Sequence, residues 1–180
     1  MKLDGKKSEE DKTLTTFITF EAPPAFNGNP YDSAGINWSL QPLLYDNLAD
    51  YSAFPEQTFK ESLLESYKLE DKVLTMKLKS GLKWSDGSAL TAEDVMTNYY
   101  VNVGKSAIWT YAEKIEQVDE LTVKITFATE SPLLLRVAFT LPIMSPTSVY
   151  GKWAEQYKVI AETGRTFNEK TKTYGFSKES

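Results

Sequence analysis

The sequence predicts an α+β fold, a small and mostly antiparallel sheet of about four strands covered by helices. Three observations predict it. Leu63–Leu69 and Val73–Lys79 flank Glu70-Asp71-Lys72, a connection of hairpin length, and Leu74, Met76 and Leu78 alternate with Thr75, Lys77 and Lys79. A second alternating run, Leu121–Phe127, follows Ile115–Val118 through Asp119-Glu120. Between the two hairpins, Val95, Met96, Tyr99, Tyr100 and Val103 recur at helical spacing.

The elements follow in order. Met1–Thr13 is charged, with Leu3 alone as a branched apolar residue, and is expected to be a mobile tether. Leu14–Phe20 (LTTFITF) is rich in β-branched and aromatic residues and suits a buried strand, which Pro23-Pro24 ends. Ala25–Gly35 is a loop dense in Gly, Asn, Pro and Asp. A helix is expected next, capped by Asn37 or Ser39, with Pro42 in its first turn and Leu40, Leu44 and Leu48 on one face. Tyr51–Lys60 reads as a connector. After the first hairpin, Gly81–Gly87 is a short extended piece that closes in an Asp86-Gly87 turn. Thr91 and Asp94 have capping-box spacing, Glu93 and Asp94 suit the positive end of the helix, and Gly104 is placed as its stop. Pro132 starts a short helix through Phe139, and Thr147–Tyr157 a further one with Trp153 on its apolar side. Ala161–Ser180 is polar and poorly patterned.

Composition narrows the function. The 180 residues are 41% hydrophobic and 25% charged, enough for a packed core. A net charge of −5 argues against nucleic acid, whose phosphates need a concentrated positive face. With no cysteine there is no disulfide, thiolate zinc site or cysteine nucleophile. With no histidine, the usual general base and the commonest transition-metal ligand are gone. No catalytic residue, cofactor or metal is expected. Glu93 and Asp94 do not form a catalytic pair, because neighbours on a helix diverge by about 100°. No run of about 18 apolar residues is present to span a membrane.

Leu63–Val95 (LLESYKLEDKVLTMKLKSGLKWSDGSALTAEDV) resembles the signature region of the family 5 extracellular solute-binding proteins. These are the oligopeptide-, dipeptide-, nickel- and oligosaccharide-binding components of ABC importers. Glu65-Ser66-Tyr67 is similar to the family's "AESW" strand, Met76–Gly87 to its "FKLRKGVKWHDG" strand with Ser85 where many members carry His, and Ser88–Val95 to its "TPLTAEDV" helix start. Further landmarks keep the family's order: Tyr45–Leu48, Val118–Ile125, Ser131–Leu135 and Pro142–Tyr150. The bottom-up reading of Trp84, Asp86, Gly87, Thr91 and Asp94 is architectural: an apolar anchor, a turn and a helix cap.

The resemblance implies part of a periplasmic-binding-protein type II fold. In this division 1–13 is the tether, 14–44 the first strand and helix start of the first binding lobe, 45–157 a small inserted α+β domain, and 158–180 a return segment. The second lobe and the family's "GTGPY" segment have no counterpart, so the sequence looks truncated. The implied function is solute capture for an ABC importer, with a peptide or oligosaccharide ligand and a permease as partners. The implied place is extracellular or periplasmic, anchored by a lipid absent from this chain. The ligand-facing residues mapped by resemblance are Glu21, Ala22, Pro23 and Pro24, with Asn29, Tyr31 and Trp38 further out. Glu21 suits a peptide ammonium group or a sugar hydroxyl, and Tyr31 and Trp38 a sugar ring or apolar side chain. The plainer alternative is that Trp38 packs its helix and Glu21 is solvated. A stand-alone interaction module without a small-molecule role is the rival from another class.

Overall fold

The computed structural model describes residues 29–32, 41–55 and 57–176. Contacts divide the chain into two units, Met1–Gln41 and Pro42–Ser180. The predicted tether, the strand Leu14–Phe20 and the helix caps Asn37 and Ser39 lie outside the described residues. In the first unit, Asn29–Asp32 forms a turn in which Asn29 Oδ1 accepts from the Tyr31 amide at 3.0 Å and the Asn29 carbonyl from the Asp32 amide at 3.2 Å.

The second unit holds a four-stranded antiparallel sheet. Its strands are β3 (Leu64–Glu70), β4 (Val73–Leu78), β5 (Ala112–Gln117) and β6 (Thr122–Phe127), in the order β3-β4-β6-β5. Both predicted hairpins are present. β3 turns into β4 through Asp71-Lys72, with Glu70 opposite Val73, and β5 pairs with β6 with Ile115 opposite Ile125. Alternation sets the register: Leu74, Met76, Leu78, Val123, Ile125 and Phe127 are all buried, while the lysines between them face water. On the wet face Lys77 pairs with Glu65 at 2.8 Å, and Glu116 with Lys114 at 2.6 Å and Lys124 at 3.5 Å. These pairs are exposed and contribute little to stability, about 0–1 kcal/mol each.

Before the sheet come α1 (Gln41–Leu44) and a hairpin of β1 (Ala49–Ser52) with β2 (Thr58–Glu61). The expected helix through Leu48 is therefore cut short. Leu44 is exposed, whereas Leu48 and Ala49 are fully buried. Leu48 sits instead at a bend just before β1: its amide donates to the Phe139 carbonyl, and its carbonyl accepts from Leu63 and Leu64. The expected connector Tyr51–Lys60 also contains strand. Phe59 packs edge-on against Phe139 and Tyr67, with centroids 5.1 Å and 6.5 Å away, so an aromatic cluster repays the pairing.

Helices close the other face. α2 (Ala92–Val101) packs against β5, β6 and α5 (Thr147–Thr163), with α3 (Ile108–Tyr111) and α4 (Leu133–Phe139) at the flank. α2 stops before Gly104, where the buried Asn102 side chain donates to the Asn98 carbonyl. α5 runs a turn and a half beyond Tyr157. Its buried side chains are Ala154 and Ala161, and Trp153 is 41% exposed, contrary to the expectation that it would face the core. Alanines suit this position because they let α5 approach α2 closely. The expected polar tail contains a second small hairpin, β7 (Arg165–Asn168) with β8 (Thr173–Phe176).

Buried polar groups on α2 hold α5 in place. Asp94, Asn98 and Asn102 are four residues apart, and all lie at or below 5% exposure. One oxygen of Asp94 accepts from the Thr91 amide at the start of α2, the other from the Thr147 amide at the start of α5, both at 2.8 Å. Asn98 accepts from the Met144 amide and the Ser145 hydroxyl and donates to the Pro142 carbonyl. Each such cap satisfies an amide that the helix cannot.

Asp94→Ala is expected to destabilise the domain by about 2–4 kcal/mol, because two caps are lost together. Asp94→Asn should cost about half as much, since the amide keeps one acceptor oxygen for two amides. Urea unfolding of the three proteins checks the order; equal stability of wild type and Asp94→Ala would remove Asp94 as the joint.

Candidate functional site

The motif from Trp84 to Asp94 folds as one compact loop and helix start. Lys83 bridges Ala89, Leu90 donates to the Leu82 carbonyl at 3.0 Å, and Trp84 donates to the Ser88 carbonyl at 2.9 Å. At the tip, Asp86 Oδ1 accepts from the Ser88 amide at 2.8 Å and the Ser88 hydroxyl at 2.6 Å. Gly87 has φ +89°, a left-handed conformation that side chains with a Cβ adopt at a cost. The hydrogen bond from the Ser88 side chain, then that from its amide, holds the Asp86 carboxyl below its ordinary pKa. Trp84 is half-buried against the core, and its indole N–H has no hydrogen-bond partner. The Ala92 amide donates to the Glu120 carbonyl at 2.9 Å, which ties the helix start to the second hairpin.

Two grooves flank α5. One, of about 430 Å³, is polar and lies between α2, β5 and α5, with Glu93, Thr97, Glu116, Gly151 and Glu155 among its walls. Several of its groups are committed to partners: Thr97 shares a hydrogen bond with Thr147 at 2.9 Å, and Tyr100 donates to Glu162 at 3.1 Å. A direct hydrogen bond from Lys114 leads the causes that hold Glu116 below the usual carboxylate range. Burial, then the Glu162 charge, pushes the Tyr100 hydroxyl well above the phenol range. The other groove, of about 480 Å³, is apolar and is lined by Val101, Val103, Tyr157, Ile160 and Phe176. Among the described residues no group of three or more Asp or Glu is placed to hold a metal ion. No helix there is long and apolar enough to cross a membrane.

Of the seven residues mapped as ligand-facing, Glu21, Ala22, Pro23, Pro24 and Trp38 lie outside the described residues. Asn29 and Tyr31 sit together in the turn of the first unit, Asn29 exposed and Tyr31 half-buried. The five motif residues Trp84, Asp86, Gly87, Thr91 and Asp94 are brought together, in the structural roles given above. Sequence reasoning missed Asn98 and Asn102. Their signal was present, a polar stripe at four-residue spacing from Asp94 along a face that is otherwise apolar. It also missed Arg165, for which no sequence pattern gave notice.

Residues 58–176 match the family model described as bacterial extracellular solute-binding proteins, family 5. The chain belongs to this family. The match spans both hairpins of the central sheet, the capped helix α2 and the whole of α5. A curated relative from Deinococcus radiodurans, described as a probable ABC transporter-binding protein, is 24% identical over 151 residues, which are 79% of this chain and 23% of that protein. The solved structure of AppA from Clostridium difficile, described as a peptide binding protein, is 30% identical with a TM-score of 0.53, covering 70% of this chain and 29% of AppA. A periplasmic oligopeptide-binding protein of Thermotoga maritima, solved with mannohexaose, is 26% identical with a TM-score of 0.55, covering 67% of this chain and 24% of that one. The family 5 chain thus spans 23% to 29% of the length of these relatives. The mixed helix and antiparallel sheet is part of a type II periplasmic-binding fold, as the resemblance implied.

Because the Asp86 carboxyl is held below its ordinary pKa, its contribution to stability is complete at neutral pH and is lost as pH falls through the lowered value. Wild type is expected to melt above Asp86→Asn at neutral pH, with the gap closing below about pH 4. Melting temperatures of both proteins across that range check the sign; a gap that widens in acid refutes it.

Proposed function

We propose that this family 5 chain belongs to the substrate-capture subunit of an ABC importer, which binds an oligopeptide or oligosaccharide and delivers it to a permease. The observation that supports it best is the family match across residues 58–176. The two ligand chemistries have separate support in similar proteins, a peptide binding protein at 30% identity and a protein holding mannohexaose at 26%. We place the capture site outside the cytoplasmic membrane and the anchor on a lipid. The subunit acts by binding and not by catalysis.

In this reading 14–44 is the start of the first binding lobe and 45–157 the inserted domain. Ligand contacts fall to Glu21, Ala22, Pro23, Pro24, Asn29, Tyr31 and Trp38. A carboxylate and two aromatic rings suit either ligand, since the acid pairs with an ammonium or accepts from hydroxyls while a ring covers a sugar face or an apolar side chain. The rigid hairpins and the doubly capped helix pair supply the frame. Binding between lobes draws its affinity from water exclusion and closure, so one jaw alone binds poorly.

Deletion of the encoding gene should abolish uptake of labelled oligopeptides or of labelled oligosaccharides. Unchanged uptake of both would sink the reading. In calorimetry against panels of both ligands, this chain by itself should bind no tighter than millimolar; micromolar affinity would show that the second jaw is dispensable.

A further inference from the structure

Hairpin β7–β8 stands outside the four-stranded sheet. Its four ladder pairs, from Arg165–Phe176 to Asn168–Thr173, join it only to itself. Among the described residues, no backbone hydrogen bond ties either strand to the sheet or to a helix. A lone two-stranded hairpin is marginal in water and needs to be held.

Strand β8 packs on α3, and among the described residues one side chain supplies the hydrogen bonds that hold the hairpin. The Arg165 guanidinium donates to the Trp109 carbonyl at 2.8 Å, the Ala112 carbonyl at 2.6 Å and the Glu113 carbonyl at 3.3 Å, and also to the Ala161 carbonyl. The same group stacks on Trp109 at 5.0 Å and on Tyr174 of the hairpin at 4.6 Å. Ala112 and Glu113 lie where the register of edge strand β5 shifts, so arginine caps carbonyls that the ladder leaves open. A planar fork with five donors can serve several carbonyls at once, which a lysine cannot. Just before Arg165, Gly164 ends α5. A Cβ there would meet the Ile160 carbonyl at 2.8 Å, so the joint between helix and hairpin is built for glycine. Beyond it, Phe176 forms one wall of the apolar groove against Tyr157 and Ile160.

We propose that β7–β8 is a strap that opens and recloses as a unit about Gly164, with Arg165 as its latch. Opening breaks the arginine's bonds to the Trp109, Ala112 and Glu113 carbonyls, uncovers Trp109 and widens the apolar groove beside Phe176, while the central sheet stays folded.

Hydrogen exchange on the whole 180-residue chain under increasing low denaturant tests this. In wild type, the hairpin amides should exchange roughly tenfold or more faster than those of β4 and β6, with little denaturant dependence, as local opening requires. Arg165→Lys keeps the charge but loses the fork. It should speed hairpin exchange by roughly a further tenfold and leave β4 and β6 unchanged. Tyr174→Leu, which removes one stacked ring and none of the four hydrogen bonds, should have the same pattern with a smaller effect. The proposal is overturned if the wild-type hairpin exchanges at the rate and denaturant slope of the sheet. It is equally overturned if Arg165→Lys speeds every strand alike or prevents folding, since arginine would then support the whole domain and not a strap.

Discussion

The carboxylate of Asp94 joins the starts of two helices distant in sequence, and the packing of the domain depends on that joint. A helix begins with amides that have no partner of their own, and burying them unpaired is costly. At Asp94 one buried acid serves two such ends, Thr91 at the cap of α2 and Thr147 at the first residue of α5. The negative charge also lies where both helix dipoles are positive. The pairing fixes α5 against α2, and α2 in turn covers β5 and β6. One turn further on, Asn98 secures the chain that leads into α5, so the position of that helix is set by two polar side chains on its neighbour.

The large apolar side chains follow the same logic of pairing each polar tip with backbone. Tyr99 is fully buried yet donates to the Ala138 carbonyl at 2.9 Å, and Trp109 donates to the Tyr99 carbonyl at 2.7 Å. Burial pushes the Tyr99 hydroxyl far above the phenol range. These bonds cross between α2, α3 and the carboxyl end of α4. They give the helical layer a defined arrangement that apolar contact alone would leave loose. Arg165 extends the pattern to the edge of the sheet, where a cation replaces a missing strand.

The motifs shared with family 5 have a physical content that does not depend on ligand. Asp86 and Gly87 make the loop reverse, Trp84 fastens its near side to the core, and Thr91 to Asp94 begins the helix on which the domain is assembled. The chemistry of capture belongs elsewhere, to Glu21 and its neighbours under the proposed reading. Division of labour between a stiff frame and a separate binding surface is common where ligand is gripped between moving bodies, because the frame has to keep its shape through the movement.

Both hairpins, the buried face of their strands, the turn at Asp86-Gly87 and the start of α2 were legible in the sequence, because each rests on neighbours a few residues apart. Alternation fixes which face of a strand is buried, and capping spacing fixes where a helix begins. The family resemblance was legible for the same reason, since its motifs are these local signals in order. Leu48 illustrates the limit. Its spacing from Leu44 suggests a helix, but the Phe139 carbonyl, far along the chain, takes its amide at a bend before β1. Trp153 looked like a core residue until α5 turned its alanines inward to approach α2. The second role of Asp94 and the bonds from Arg165 to Trp109, Ala112 and Glu113 needed the tertiary structure, because the groups they satisfy are brought to them by chain more than fifty residues away. Short-range geometry is written in adjacent residues; which distant backbone group lacks a partner is known only once the chain has closed on itself.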